Sequence, residues 1–370
     1  MKPAVKSTGQ TYYEYVFVYV DDILVCSEKP ALIMETLGKA YCLKEGSVGP
    51  PSQYLGAQIK PHRFEDMPEN QYWSMSSAKY VKEAVKNLEL DLKKINKKLP
   101  SSRITMPLAF GYRPELDVSP LLDEEHTTFY QQLIGILRWA VELGRIELHY
   151  SVALLAQYLA APREGHLNQV YHMFAYLKAH DRSRIVMDAS RPRVDETRFH
   201  KADWMEFYRD AAESIPPNAP EPRGNGVIMS CFCDADHAGN KGTRRSHTGI
   251  IIFVNRVPII WFSKRQNTVE TSTFGSEFMA AMIAVELVEG LRYKLRMFGV
   301  PIDGPTNMYI DNKSVVKKKH NAIAYHRVRE AVAAGTIRIA YERSETNLAD
   351  ILTKLLPGPK LKELCQRILH

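Results

Sequence analysis

The chain has 370 residues, of which 45% are hydrophobic and 25% charged, and its formal net charge at pH 7 is +7. This length predicts two or three domains with ordinary cores, and the positive charge favours an anionic partner such as nucleic acid. The five cysteines form no paired CxxC motif, which argues against a disulfide scaffold and a zinc site and predicts a reduced compartment. No apolar run could span a bilayer and no signal peptide opens the sequence, so we expect a soluble intracellular protein, cytoplasmic or nuclear, without a membrane partner.

The first hundred residues mix strand and helix patterns. The stretch YYEYVFVYVDDILVCSE is rich in aromatic and β-branched residues and places Asp21 and Asp22 where a hairpin would turn. Apolar residues recur at helical spacing over 78–90. The lysine run over 93–98 is typical of a solvated helix face, with a binding strip as the alternative.

The middle of the chain is predicted to be helical and then irregular. Three apolar stripes over 125–180 predict three packing helices with no chemical role. Composition changes over 188–226, where charged residues give way to the proline-rich run SIPPNAPEPRGNG. Since several prolines cannot continue a helix or a central strand, we predict a linker and a domain boundary there.

After this linker, strands and helices alternate. The predicted strands cover 227–234, 248–254, 257–263, 306–311 and 336–342, and the predicted helices cover 273–297, 312–319, 324–334 and 347–355. Three consecutive strands indicate an antiparallel meander, and the long helix returns the chain for a parallel fourth strand. The expected fold is α/β, with a mixed five-stranded sheet and flanking helices in an order that resembles ribonuclease H.

Four acidic residues lie on these predicted elements. Asp234 ends the first strand, Glu277 opens the long helix, Asp311 ends the fourth strand and Asp350 lies in NLADILTK. Two strand ends and two helices can converge around two divalent cations, which clamp the reacting oxygens of a phosphoryl displacement. Ligands that are all oxygens favour Mg²⁺ or Mn²⁺.

Each acid also has a simpler interpretation. Glu277 fits an ordinary first-turn acid that interacts with the helix dipole, and Asp350 fits a solvent-facing helix residue. Asp236 lies two residues after Asp234 on the same predicted strand, so both side chains point the same way. Asp236 is therefore either an alternative metal ligand or an acid that supports the ligand Asp234. Asp21 and Asp22 fit ordinary hairpin-turn acids.

A series of short motifs resembles the Pol polyproteins of copia-type LTR retrotransposons. In chain order they are YVDD, YLGAQI, KYVKEAVKNL, YQQLIGILRWAV, CDADHAG, RRSHTGIIIF, WFSKRQ, SEFMAA, YIDNKSV, YHRVRE and NLADILTK. They cover nearly the whole chain. The resemblance implies a partial reverse-transcriptase palm and thumb over 1–100, a helical connection over 101–187, the proline-rich linker over 188–226 and a ribonuclease H-like domain over 227–370.

The same resemblance implies roles for individual residues. Asp234, Glu277, Asp311 and Asp350 correspond to the metal ligands of the ribonuclease H site, which holds two Mg²⁺ or Mn²⁺ ions. Asp21 and Asp22 correspond to the paired carboxylates of the polymerase turn. The implied partners are an RNA–DNA hybrid and other parts of the polyprotein.

Basic and hydroxyl residues near the acids predict a surface that holds the hybrid. The candidates are Arg244, Arg245, Ser246, Thr248, Lys264, Lys319 and His326, of which Lys319 ends the run Lys317–Lys319 before His320. Phosphate contacts supply affinity with little sequence information, and contacts to 2′-hydroxyls distinguish RNA from DNA. Solvated turn charges are the alternative for the basic residues, and His326 is also a candidate for proton transfer.

Two features depart from the family pattern. The palm strand whose aspartate completes the polymerase metal site is missing, so we expect no DNA polymerisation from this chain alone. The stretch between Asp311 and His326 is shorter than usual, with Ala322 in place of an acid, and a small displacement of Asp350 would reduce activity. Two hypotheses follow: an RNA–DNA hybrid ribonuclease, or a catalytically inactive retrotransposon remnant that at most binds nucleic acid.

Overall fold

The structure is a computed structural model that describes residues 1–100, 104–199, 204–312 and 323–370. Its strands are β1 (Lys2–Val5), β2 (Thr11–Tyr19), β3 (Asp22–Cys26), β4 (Gln53–Tyr54), β5 (Ala57–Phe64), β6 (Met67–Ser76), β7 (Ile185–Val186), β8 (Met229–Asp236), β9 (His247–Val254), β10 (Val257–Arg265), β11 (Thr306–Ile310) and β12 (Ile337–Tyr341). Its α-helices are α1 (Pro30–Ala40), α2 (Ala78–Lys94), α3 (Glu124–Glu142), α4 (His149–Leu155), α5 (Glu164–Ala179), α6 (Thr273–Met297), α7 (Ile323–Ala333) and α8 (Gly358–Cys365). None of the described helices is long and apolar enough to cross a membrane.

The predicted hairpin near the N-terminus is confirmed. Strands β2 and β3 pair antiparallel, with Tyr19 opposite Asp22, in a three-stranded sheet with β1. Asp21 and Asp22 lie exposed at its turn, next to Val20 at a positive φ of 54°. Tyr13 anchors the sheet, since its hydroxyl donates a 2.9 Å hydrogen bond to the Glu221 carbonyl.

The three helices predicted over 125–180 correspond to α3, α4 and α5. They share one hydrophobic core with α2, in which Leu88, Leu137 and Phe174 are buried. Strand β7 follows α5 and pairs with β6, which precedes α2. Packing is therefore continuous across residue 100, and the division of the chain into domains stays a prediction. We call residues 53–187 the helical unit.

A mixed five-stranded sheet follows, as the sequence predicts. Its strand order is β10-β9-β8-β11-β12; β8, β9 and β10 pair antiparallel, and β11 runs parallel to both β8 and β12. Helices α6 and α7 cover one face around Cys231, Ile250 and Val288. The predicted helix over 273–297 is α6. The helix predicted over 347–355 is instead a 3-10 helix, Leu348–Leu352, and the helix predicted over 312–319 lies outside the described residues except for Asn312.

The other face of this sheet packs against the helical unit. Ile146 of that unit shares a buried core with Ile251 and Phe253 of β9, with Leu352 of the 3-10 helix and with α8. Across the same interface, the indole N–H of Trp261 donates a 3.1 Å hydrogen bond to a carbonyl of α3. Apolar burial of this kind is the main favourable term in packing, so the interface holds the 3-10 helix in place.

The proline-rich segment also makes specific contacts. Phe199 forms a bridge with Ala340 of β12. Farther along, the Glu213 carboxylate pairs with Arg292 at 2.7 Å and with Arg296 at 2.5 Å, both on α6. Burial raises the pKa of Glu213, but hydrogen bonds from the two guanidinium groups lower it more, to about 2.

The Glu213 contact predicts a stability change with a defined pH dependence. Because its folded-state pKa lies below the unfolded value of about 4.3, the pair stabilises the fold above that pH and loses its effect as the pH falls toward about 2. We expect Glu213→Gln to lower the free energy of unfolding at pH 7 by roughly 2 kcal/mol, a buried-pair cost reduced for partial solvent exposure. Urea unfolding at pH 7 and pH 3 measures this.

Glu206→Gln is the matched control, since Glu206 lies exposed in the same segment. Equal stability of the two variants at pH 7 would show that the segment is not held by this contact.

Candidate metal centre

Two of the four predicted acids are brought together by strand register. Strands β8 and β11 are parallel neighbours, with Cys233 opposite Ile310. Asp234 and Asp311 are the next residue on each strand. Since the register is continuous, the two carboxylates lie side by side at the same edge of the sheet.

The 3-10 helix brings the third acid to this edge. Its N-cap Asn347 donates a 3.0 Å hydrogen bond to the Cys233 carbonyl and accepts one from the Ala349 amide. As a result, one carboxylate oxygen from each of Asp234, Asp311 and Asp350 lies within 4.8 Å of the other two.

A glycine permits this close approach. A Cβ atom at Gly249 of β9 would lie 2.8 Å from the Ala349 carbonyl oxygen and 2.6 Å from the Thr353 methyl group. Such contacts are too short for any side chain to be accommodated without movement of the backbone. Gly249 therefore allows the segment that carries Asp350 to lie directly on β9.

The fourth acid, Glu277, comes from α6. This helix begins at the Ser272 N-cap, whose hydroxyl accepts a hydrogen bond from the Gly275 amide. Glu277 is only 3% exposed, and its Oε2 has no hydrogen-bond partner among the described residues. Burial and the charges of Asp234 and Asp311 raise its pKa well above the ordinary value. Glu277 therefore lies near enough to these aspartates for the charges of Asp234 and Asp311 to act on it. We call Asp234, Glu277, Asp311 and Asp350 the acid cluster.

A lysine lies inside this cluster. The Lys354 ammonium is 2.8 Å from Asp350 Oδ1 and 3.3 Å from Asp234 Oδ2, and the Thr353 hydroxyl donates to the same Asp234 oxygen. Burial lowers the pKa of Lys354, but Asp234 and Asp350 raise it more, so the group stays charged. One ammonium cannot neutralise four carboxylates. Burial, together with Asp234, still raises the pKa of Asp350 to about 7 and also raises that of Asp311.

The residues of the acid cluster fit a divalent cation. In addition to Glu277 Oε2, the buried Asp234 Oδ1 has no hydrogen-bond partner in the described part of the chain. Buried polar atoms are rarely left without a partner, and unpartnered carboxylate oxygens are the ligands that Mg²⁺ and Mn²⁺ prefer. Asp234, Glu277, Asp311 and Asp350 could hold such ions.

Asp236 has a different position from Asp234. Its carboxylate accepts a hydrogen bond from the His247 amide across the β8–β9 turn, and burial raises its pKa to about 7. It is not among the three aspartates whose oxygens come together. Asp236 therefore braces the turn, and Asp234 is the acid of this strand whose carboxylate lies beside Asp311 and Asp350.

A cleft of about 450 Å³ opens beside the acid cluster, between residues 110–115 of the helical unit and the β8–β9 turn. Its cationic lining residues are Arg113, Lys241, Arg245, Arg265 and Lys354. Arg113 donates a 3.0 Å hydrogen bond to the Gly239 carbonyl, which joins the two walls. Lys241, Arg245 and Arg265 form no ion pair with any described residue, and the cleft is also lined by two acids, Glu115 and Asp236. We call this feature the basic cleft.

The other predicted binding residues differ in position. Arg245 lines the basic cleft, Arg244 is exposed in the same turn and Lys264 is exposed on β10. His326 is exposed on α7, with its Nδ1 2.6 Å from the Tyr208 hydroxyl of the proline-rich segment. Lys319 lies outside the described residues, as do Lys317, Lys318 and His320.

Ser246 and Thr248 require a correction. They are 1% and 0% exposed, so their hydroxyls do not face a ligand. Ser246 accepts a hydrogen bond from the Ala238 amide, and Thr248 accepts one from the Gln266 side chain. Their polar groups stabilise the β8–β9 turn and the β9–β10 pair instead of contacting nucleic acid. The predicted polymerase acids Asp21 and Asp22 lie in a separate sheet from the acid cluster.

Sequence reasoning assigned no role to Lys354, Gly249 or Arg113. The spacing of Asp350 and Lys354, four residues apart in a helical segment, is a typical ion-pair signal and could have identified the lysine. Arg113 reaches the β8–β9 turn only through tertiary packing, so no local pattern marks it.

Comparison with known proteins shows that the chain is similar to retrotransposon Pol proteins. It is 23% identical over 96% of its length to the "Retrovirus-related Pol polyprotein from transposon RE1" of Arabidopsis thaliana, and covers 21% of that protein. It is 24% identical over 98% of its length to the corresponding polyprotein from transposon TNT 1-94 of Nicotiana tabacum, and covers 25% of that protein. A putative transposon Ty5-1 protein of Saccharomyces cerevisiae is 24% identical over 68% of this chain, which covers 66% of that protein.

The chain is therefore homologous to proteins named as retrovirus-related Pol polyproteins. More particularly, it is related to those of copia-type transposons and Ty1 and Ty5 elements, which confirms the resemblance carried by the motifs. The chain spans about a fifth to a quarter of the length of the plant polyproteins. No protein-family model matches it.

One solved structure with a similar stretch is the N-terminal RNase H domain of a Mycobacterium tuberculosis protein, determined as a fusion with maltose-binding protein. The two sequences are 14% identical. The similarity covers 38% of the present chain and 98% of the mycobacterial chain, with a TM-score of 0.26. The description of the fold therefore depends on the strand order of the chain itself.

The raised pKa of Glu277 predicts how the metal-free protein responds to pH. A carboxyl group whose folded-state pKa is raised destabilises the fold as the pH rises above its unfolded value, about 4.3. In EDTA, we therefore expect the chain to lose stability between pH 5 and pH 8. Glu277→Gln should raise the free energy of unfolding at pH 8 by roughly 1–3 kcal/mol, because glutamine is neutral at every pH and avoids the cost of keeping the Glu277 carboxyl protonated in the fold.

Urea unfolding across this pH range measures both effects. Glu286→Gln, at an exposed position of the same helix, is the control. If the Glu277 variant were no more stable than the control at pH 8, the repulsion within the cluster would be much weaker than its geometry indicates.

Proposed function

We propose that the chain is a retrotransposon-derived reverse transcriptase/ribonuclease H fragment that hydrolyses the RNA strand of RNA–DNA hybrids. The observation that supports this most strongly is the buried convergence of Asp234, Asp311 and Asp350, with Glu277 beside them. The acids lie at one end of a mixed sheet whose order, β10-β9-β8-β11-β12, resembles that of a ribonuclease H-like fold. Homology to Pol polyproteins supports the same class of activity.

The four acids would hold two Mg²⁺ or Mn²⁺ ions. When bound, such ions activate water and neutralise charge at the oxygens of an in-line phosphoryl displacement. Asp234 and Asp311 fix the geometry, since Asp234 lies on β8 and Asp311 directly follows β11, its hydrogen-bonded neighbour. Burial of Glu277 and Asp350 by α6 and the 3-10 helix limits water at the cluster and strengthens electrostatic interactions there.

The basic cleft supports a nucleic-acid substrate. Its five cationic residues outnumber its two acids, and the cleft lies next to the acid cluster, because Lys354 belongs to both. Phosphate groups along one strand would be attracted there irrespective of base sequence. Other parts of the polyprotein are proposed as further partners.

We propose no polymerase activity for this chain. Within the described ranges, the group of acids close enough to share an ion contains neither Asp21 nor Asp22. We expect the purified chain to extend no primer on an RNA template.

The central test of the proposed function is cleavage of a labelled RNA–DNA hybrid by the full chain. We expect Mg²⁺-dependent cleavage of the RNA strand, and a loss of at least about 10²-fold in Asp311→Asn, since a displaced reacting group costs this much. Asp210→Asn, at an exposed position, is the control and should cleave like the unmodified chain. Equal and negligible cleavage by all three proteins would indicate an inactive remnant.

The role of the basic cleft has a separate test that needs no cleavage. We expect Arg245→Ala and Arg265→Ala each to weaken binding of the hybrid in Ca²⁺ and to reduce the slope of log K against log salt by about one per lost phosphate contact. Arg193→Ala, at an exposed position outside the cleft, should leave both quantities unchanged. Fluorescence anisotropy at several salt concentrations measures them. Identical slopes in all variants would exclude the cleft as the binding surface.

A further inference from the structure

We propose that Lys354 is the built-in counter-ion of the metal-free acid cluster and must leave its place before divalent ions bind. This inference rests on the proposed metal site and concerns how that site is loaded. It assigns Lys354 a role in controlling metal affinity and no part in the chemical step.

The Lys354 ammonium occupies the space that a bound ion would need. Lys354 Nζ lies 2.8 Å from Asp350 Oδ1 and 3.3 Å from Asp234 Oδ2. A Mg²⁺ ion that used the same two oxygens would lie about 2.1 Å from each, in the space that Nζ fills. Two cations cannot share that position, so ammonium and metal ion exclude each other.

Lys354 balances only part of the negative charge of the acid cluster. The ammonium pairs with two of the four carboxylates, and the buried atoms Asp234 Oδ1 and Glu277 Oε2 are left without a partner in the described structure. Lys354 thus offsets part of the repulsion and leaves ligand oxygens free. Divalent ions that bridge the carboxylates would satisfy the oxygens that the ammonium does not reach.

The Lys354 side chain can move from the acid cluster into the basic cleft. Lys354 is 36% exposed and also lines the basic cleft. Its backbone amide donates a 3.1 Å hydrogen bond to the Asp350 carbonyl, which fixes the start of the side chain while the four-carbon stem can rotate. Exchange of ammonium for metal therefore requires a rotamer change and no movement of the backbone.

The test measures Mn²⁺ binding to the full chain by calorimetry. Lys354→Met removes the charge and keeps the length of the stem, so we expect Mn²⁺ to bind roughly tenfold more tightly, the equivalent of about 1.4 kcal/mol. The matched control is Lys360→Met on α8: Lys360 is 28% exposed and pairs with Glu363 at 2.9 Å, away from the cluster. Lys354→Arg keeps the charge and should bind Mn²⁺ no more tightly than the unmodified chain.

A second readout separates displacement from a general charge effect. Lysine labelling with an amine-reactive reagent, followed by mass spectrometry, should show slow modification of Lys354 in EDTA and faster modification with Mn²⁺, while Lys360 is unaffected. A Lys354 labelling rate that is unchanged or lower with Mn²⁺ would overturn the inference, even if Lys354→Met bound the ion more tightly. Equal Mn²⁺ affinity in Lys354→Met and the unmodified chain would also overturn it.

If the proposed metal site or the proposed nuclease activity were wrong, the binding and cleavage experiments would give results that differ from those above. If neither the unmodified chain nor Lys354→Met bound Mn²⁺ while thermal unfolding showed both to be folded, the metal centre itself would be wrong, and this inference with it. Mn²⁺ binding without hybrid cleavage would contradict the nuclease activity and leave the role of Lys354 intact.

Discussion

Mutual repulsion of four carboxylates in one buried site is the constraint on which the rest of this structure depends. Like charges this close together, out of water, raise one another's pKa and oppose folding. The backbone overcomes this through the register of β8 and β11, which fixes Asp234 beside Asp311, and through Gly249, which admits the segment that carries Asp350. Lys354 offsets part of the charge. Such an arrangement is costly for stability and is typical of sites selected for function.

The site also depends on residues far outside the sheet. The 3-10 helix that carries Asp350 is held between β9 and the helical unit by a core that includes Ile146, Phe253 and Leu352. The basic cleft likewise has one wall from each side, joined by the hydrogen bond from Arg113 to Gly239. The helical unit therefore supports the acid cluster and completes the proposed substrate surface, so the full chain is the appropriate protein for functional experiments.

The sequence was sufficient for the five strands and for α6, because these follow from local periodicity, and it marked the three aspartates that the structure brings close together. It was insufficient where tertiary packing decides. Ser246 and Thr248 look like surface residues of a polar turn, yet they are buried because β9 is covered on both faces. The segment after Asn347 has helical spacing, but it forms only a 3-10 helix, whose start is fixed by the Asn347 hydrogen bond to β8. Arg113 enters the cleft across an interface that no local pattern encodes.

The most direct test of the central claim, that the acid cluster is a divalent-metal site, is a crystal structure of the full chain soaked in Mn²⁺, with anomalous data recorded near the manganese edge. The account predicts anomalous peaks between Asp234, Asp311 and Asp350, one of them bridging toward Glu277, with the Lys354 ammonium withdrawn into the basic cleft. A structure with no anomalous peak at the cluster, and with Lys354 still between Asp234 and Asp350, would contradict it.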